Sequence, residues 1–144
     1  MRFSALRGER LALGGGVVVV NDCYNANPMS MRAALDDLAA TAAGRRVGVL
    51  GDMLELGSEE ARFHREVGRQ ASASGVDLLV TVGPLSNATA AAFDGEVHSV
   101  ADAGEAAALV PELVAPGDTV LVKASRGIGL EVVANALAGA EASA

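Results

Sequence analysis

The chain has 144 residues, one domain's worth, with 11 basic against 18 acidic side chains and a formal charge of −7. Hydrophobic residues make up 51%, but 29 positions are alanine and only Phe3, Tyr24, Phe63 and Phe93 are aromatic, so the core must come from Val, Leu and Ala in closely approaching layers. A lone Cys23 excludes an internal disulfide and a multi-cysteine zinc site, ten arginines scattered without aromatic interleaving disfavour nucleic acid, and no apolar run reaches the roughly 18 residues of a membrane span or fits a signal peptide.

Residues 7–13 and 17–20 read as two strands joined by Gly14-Gly15-Gly16, a connection suited to a hairpin, so the first strand is expected to be antiparallel. Val17-Val18-Val19-Val20 is β-branched without polar alternation, the pattern of a strand covered on both faces. Similar runs follow at residues 47–50, 77–82 and 119–122, with a weaker one at 97–100. The first helix is expected from Asn27 as cap and Pro28 as first residue to near Gly44, with Met31, Ala34, Leu35, Leu38 and Ala42 on one face. A second runs from Ser58 as cap to Gly75, and a short third covers about residues 85–93. The fourth opens on the capping-box spacing Asp102-x-x-Glu105 and should end or bend at Pro111. The last spans residues 127–138, and residues 141–144 are expected to fray.

Five alternations of strand and helix predict an α/β fold: a three-layer Rossmann-like sandwich with a mostly parallel sheet of about six strands and one antiparallel edge strand. No repeat or linker divides residues 1–144, which read as one cytoplasmic domain with no nucleic-acid or membrane partner. The six residues ahead of the first strand read as a boundary set within a longer chain.

In open α/β sheets the working residues gather beyond the carboxyl ends of the strands. After the four valines comes Asn21-Asp22-Cys23-Tyr24-Asn25-Ala26-Asn27-Pro28, where helix capping accounts for one amide but not for three Asn, an Asp and a Tyr. Asp22 is placed like the acidic residue that takes a ribose hydroxyl pair. The next strand ends in Gly51-Asp52-Met53-Leu54-Glu55-Leu56-Gly57. Downstream, His64 reads as bordering the apolar face of its helix with Ala61, Val67 and Ala71; it shares no ligand spacing with His98, and no metal site is expected. The last strong strand leads into Lys123-Ala124-Ser125-Arg126-Gly127, two cations and a hydroxyl ahead of a glycine-flanked helix start suited to an anion.

Several standard devices are missing. Lys123, the only lysine, follows Leu121-Val122 and so belongs to no Walker A loop, and Gly14–Gly16 precede their strand instead of following it as a dinucleotide fingerprint requires. Ser125 sits in no G-x-S-x-G elbow, and Cys23 has no adjacent histidine, so no self-sufficient catalytic group is expected. Asp22, Asp52 and Lys123 should converge on one edge, carboxylates on one side and cations on the other. Such an edge suits half of a site completed by a partner domain, or a free-standing Rossmann-like module that binds a nucleotide or anion, or a scaffold with no ligand.

The stretches Asp22-Cys23-Tyr24-Asn25-Ala26-Asn27-Pro28-Met29-Ser30-Met31-Arg32-Ala33-Ala34-Leu35, Gly51-Asp52-Met53-Leu54-Glu55-Leu56-Gly57 with His64, and Val122-Lys123-Ala124-Ser125-Arg126-Gly127 resemble, in order and spacing, the C-terminal domain of the Mur ligases. Within that family the similarity is greatest to members that add D-alanyl-D-alanine to a UDP-N-acetylmuramoyl-tripeptide (UDP-MurNAc-tripeptide). The resemblance implies an ATP-dependent amide ligase of peptidoglycan-precursor synthesis that works through an acyl phosphate. A UDP-binding N-terminal domain and a central domain carrying the P-loop and Mg2+ would be its partners, and the domain alone would be inactive. It further implies that Asp22, Tyr24, Asn25 and Asn27 face the nucleotide, and that Asp52, Met53, Glu55, Lys123, Ser125 and Arg126 frame the acceptor dipeptide (D-Ala-D-Ala). The family turn usually reads Lys-Gly-Ser-Arg-Gly; were the second position to need positive φ, Ala124 would cost about 1 kcal/mol there.

Overall fold

In the computed structural model, which describes residues 9–143, six strands form a single sheet. They are β1 (Glu9–Ala12), β2 (Val18–Asp22), β3 (Arg46–Gly51), β4 (Leu78–Val82), β5 (Glu96–Val100) and β6 (Thr119–Lys123), in the order β1-β2-β6-β3-β4-β5. Only the β1–β2 pair is antiparallel; β2, β6, β3, β4 and β5 run parallel. Five helices alternate with them: α1 (Pro28–Thr41), α2 (Glu60–Ala73), α3 (Asn87–Ala92), α4 (Ala103–Leu113) and α5 (Glu131–Ser143).

The two-residue period of the strands sorts their side chains into two cores. Val47, Val49, Val120 and Val122 point to one face and pack with Ala106 and Val110 of α4 and Val133, Ala134 and Leu137 of α5. Leu50, Leu79 and Leu121 point to the other, against Met31, Leu35 and Leu38 of α1 and Val67 and Ala71 of α2. Each helix thus buries one stripe, and the three layers follow. Small residues permit the closest approaches: a Cβ on Gly68 of α2 would lie 2.3 Å from the Thr89 carbonyl oxygen of α3.

The hairpin, the parallel core and the Asn27 cap agree with the sequence reading, while several boundaries differ within the described residues. Residues 7 and 8 of the expected first strand, like Phe3 and Ala144, lie outside the described residues. Ser58 does not cap α2; Gly57–Glu59 form a short 3-10 turn and the helix begins at Glu60 without a side-chain cap. Pro111 lies inside α4 and the helix runs on to Leu113, because a proline near the end of a helix sacrifices only one ladder bond. A 3-10 turn at Arg126–Ile128 and the left-handed Gly129 (φ 70°) delay α5 to Glu131, and its backbone stays helical through Ser143, the surrounding Ala and Glu being good enough helix formers to carry it past Gly139.

Register decides what stands together at the carboxyl edge. Asp22 is paired with Lys123 across β2–β6, and Leu50 with Lys123 across β6–β3, so the loops that follow β2, β3 and β6 emerge side by side.

Candidate functional site

Lys123 is only 2% exposed, and its Nζ donates to Asp22 Oδ2 at 3.0 Å and to the Asn25 carbonyl oxygen at 2.9 Å. A buried ammonium costs several kcal/mol unless paired and hydrogen-bonded, and these two acceptors are what let it sit there. The expected segregation of carboxylates from cations therefore gives way to a direct pair, since parallel register makes residues 22 and 123 cross-strand neighbours.

The loop between β2 and α1 is held from within. Cys23 is fully buried and donates its thiol hydrogen to the Val122 carbonyl at 3.4 Å; burial, reinforced by the charges of Glu131 and Asp22, pushes the thiol up to about 12. Asn25 Oδ1 accepts from Ala26 N–H at 2.9 Å. Asn27 Oδ1 accepts from Ser30 N–H at 2.9 Å while Ser30 Oγ accepts from Asn27 N–H at 3.0 Å, a reciprocal cap that starts α1. Half-exposed Tyr24 receives the Arg126 guanidinium 5.6 Å from its ring centroid. Asp22, Tyr24, Asn25, Asn27, Ser30 and Lys123 together line a polar cavity of about 190 Å³. Ser30 is the member missing from the sequence reading, and its signal was its place as the third helical residue after a capping Asn.

The loop after β3 departs from expectation. Asp52 is buried, and its carboxylate accepts from Ser86 N–H (2.8 Å), Ser86 Oγ–H (2.7 Å) and Leu85 N–H (3.3 Å). It faces away from Lys123 and ties the end of β3 to the turn before α3. Met53 is likewise in the core, among Met31, Leu35 and Val67. Its N–H donates to His64 Nε2 at 3.0 Å, and His64 Nδ1 lies 2.7 Å from the Glu60 carbonyl, so the ring is the neutral tautomer with its proton on Nδ1. Asp52 and Met53, expected at the acceptor, thus present no side chain to the open edge, because the chain turns inward before it emerges. Leu54 (40% exposed) and Glu55 do emerge, and Glu55 is the sole non-glycine with positive φ (63°) among the described residues.

The turn after β6 is stitched to that loop. Ser125 N–H donates to the Asp52 carbonyl at 3.0 Å, and Ser125 Oγ accepts from Leu54 N–H at 2.8 Å. Ala124 does not have positive φ and is fully buried; it fills space left by Gly51, where a Cβ would lie 2.7 Å from the Ala124 Cβ. The alanine is accommodated without backbone strain. Arg126 is exposed beside Tyr24 and so stands next to the Asp22 cavity, Ser125 before it is buried, Glu55 is exposed on the loop that Ser125 holds, and Lys123 belongs to the cavity itself. A larger groove of about 610 Å³ lies between α1 and α2, but its lining comes from helix flanks, Arg32, Phe63 and Arg69 among them, and it gathers no strand-end group. Among the described residues, no three His, Cys, Asp or Glu side chains cluster to hold a metal, and no helix is long and apolar enough to cross a membrane.

Residues 2–126 match the family described as Mur ligase, glutamate ligase domain. The chain is 40% identical to the UDP-N-acetylmuramoyl-tripeptide–D-alanyl-D-alanine ligase of Mycobacterium leprae over 86% of its own length and 28% of that protein's. It is 34% identical to the enzyme of the same name from Bacillus subtilis, over 92% of this chain and 30% of that one. Among solved structures, the MurF ligase of Thermotoga maritima in complex with ADP superposes with a TM-score of 0.82 at 25% identity, covering 99% of this chain and 33% of the other. A MurF of Acinetobacter baumannii gives 0.83 at 27% identity, covering 96% and 31%. The chain therefore spans just under a third of the length of such relatives.

Proposed function

The chain belongs to the Mur ligase family, and from that premise we propose that it is the C-terminal domain of a cytoplasmic, ATP-dependent ligase joining D-alanyl-D-alanine to a UDP-MurNAc-tripeptide. The observation that carries this reading is the polar cavity at the ends of β2 and β6, in which Asp22, Tyr24, Asn25 and Asn27 meet Lys123. The names of the relatives support the substrates, and the ADP of the Thermotoga complex supports a nucleotide.

In this reading the tripeptide's terminal carboxylate takes the γ-phosphoryl group of ATP to give an acyl phosphate and ADP, the dipeptide amine attacks that carbonyl, and phosphate leaves as the amide forms and the amine gives up its proton. This domain supplies walls. The Asp22 carboxylate accepts from the ribose hydroxyls, Tyr24 and Asn25 flank the nucleotide, and Asn27 offers the amide hydrogens its capping bond leaves over. Beside them, Arg126 takes the dipeptide carboxylate by charge-assisted bonds, with the Ser125 hydroxyl next to it, and Glu55 holds the opposite sign of charge for the amine. The triphosphate and Mg2+ are assigned in this reading to the central domain of such a ligase: the one lysine here lies in no Walker A loop, and no three His, Cys, Asp or Glu side chains among the described residues gather to hold a metal. The chain alone is then inactive, since charge developing on the transferred phosphoryl group has no preorganised partner in it.

Mixing this chain with the N-terminal and central domains of a relative such as the Mycobacterium leprae enzyme should restore substrate-dependent ADP release, and Asp22→Ala should abolish most of that gain. Absence of any restoration up to high concentration would count against the reading.

A further inference from the structure

We infer that Lys123 is a positioning residue for the cleft, and that it acts through the Asp22 carboxylate and the Asn25 carbonyl without itself touching the acceptor. The inference deepens the nucleotide reading above and rests on it for the identity of the ligand.

Three observations carry it. First, the side chain is 2% exposed, yet its ammonium ends between two acceptors that belong to the same short loop, Asp22 Oδ2 at 3.0 Å and the Asn25 carbonyl at 2.9 Å. Two of three N–H donors are spent on protein groups, both of them on residues that line the Asp22 cavity. Second, Asp22 is partly open, its side chain 22% exposed, so a carboxylate with about four lone-pair sites can keep Lys123 on one oxygen and offer the other to a ligand. Third, the Asn25 carbonyl has no place in a helix or strand. Without Lys123, the turn carrying Tyr24 and Asn25 would lose its ammonium tie to β6, across 98 residues of sequence, and keep only the Cys23 thiol bond to Val122 beside it. A lysine reaching outward for a substrate would have to abandon both partners and leave the Asp22 carboxylate without its cation.

The consequence is an orienting lock: the cation fixes which way Asp22 faces and how the Tyr24–Asn25 turn sits, before any nucleotide arrives. Because Lys123 is the only lysine in the chain, an amine-directed reagent reads it directly, with the N-terminal amine as an internal reference.

Acetylation of the native chain by an N-hydroxysuccinimide ester should modify Lys123 on the order of 100-fold more slowly than in urea, and Asp22→Asn should speed it roughly tenfold while thermal melting shows the variant still folded. A wild-type lysine as reactive as in urea, or a rate unmoved by Asp22→Asn, would overturn the lock. Binding is the second arm, read with ADP and with 2′,3′-dideoxy-ADP, which lacks the hydroxyl pair. Lys123→Met should weaken ADP about tenfold, equivalent to about 1.4 kcal/mol, and weaken the dideoxy nucleotide clearly less, by the part that runs through the Tyr24–Asn25 turn alone, with no further loss of ADP when Asp22→Asn is added. Equal weakening of both nucleotides would make Lys123 a direct phosphate or base contact and defeat the proposal. Should the methionine variant fail to fold, the Asp22→Asn acetylation rate still decides. A wild-type chain that bound both nucleotides alike would sink the ribose reading instead, leaving the lock to stand or fall on acetylation.

Discussion

Ala124 and Gly51 show how one substitution reads differently in sequence and in space. Along the chain, alanine at a position where the family usually has glycine looks like a strained turn. In the fold it is a buried methyl whose room comes from a glycine on the neighbouring strand. Gly51→Ala should therefore destabilise by about 1–3 kcal/mol, because the added Cβ would meet the Ala124 Cβ at 2.7 Å. Adding Ala124→Gly should recover most of that loss. Urea unfolding of the two single variants and the double variant measures the coupling, and additive losses would show that the two side chains do not share this space.

At the scale of elements, the loops at the strand ends do two jobs with one set of side chains. Asn27 starts α1 and also lines the cavity, so the two roles can be separated by choosing the replacement. Asn27→Ala should cost about 1 kcal/mol of stability through loss of the cap, while Asn27→Ser should stay within a few tenths of wild type yet lose the amide contact to a nucleotide. Chemical denaturation and nucleotide titration of both variants provide the check. The element pattern itself was largely legible, because three buried central strands and a capped first helix leave plain marks in composition and spacing. The start of α2 was not. Ser58 has the chemistry of a cap, but the left-handed Gly57 (φ 72°) and the 3-10 turn that follows carry the chain into the helix by another route.

For the whole molecule, the buried Cys23 couples stability to alkaline pH. Its thiol is neutral in both states below the ordinary value of 9.0, and in the folded state burial holds the proton until about 12. A group raised on folding loses its contribution as pH climbs, so stability should fall between about 9 and 12, with a slope approaching 1.4 kcal/mol per pH unit. Cys23→Ala should remove that part of the slope while being less stable at neutral pH, where its packing is lost. Urea midpoints measured across this range test the sign, and identical slopes for the two proteins would refute it.

Composition and periodicity by themselves determined the layered α/β architecture, the antiparallel edge, the first helix cap and the three polar loops worth inspecting, since each is a local consequence of side-chain pattern. Tertiary structure alone decided what those loops do. The Asp22–Lys123 pair joins residues 101 apart, and its existence depends on β6 sitting beside β2 in the sheet. The inward turn of Asp52 onto Ser86 depends in the same way on β4 lying next to β3. Strand order is set by the packing of whole layers, and no spacing within a single segment records it.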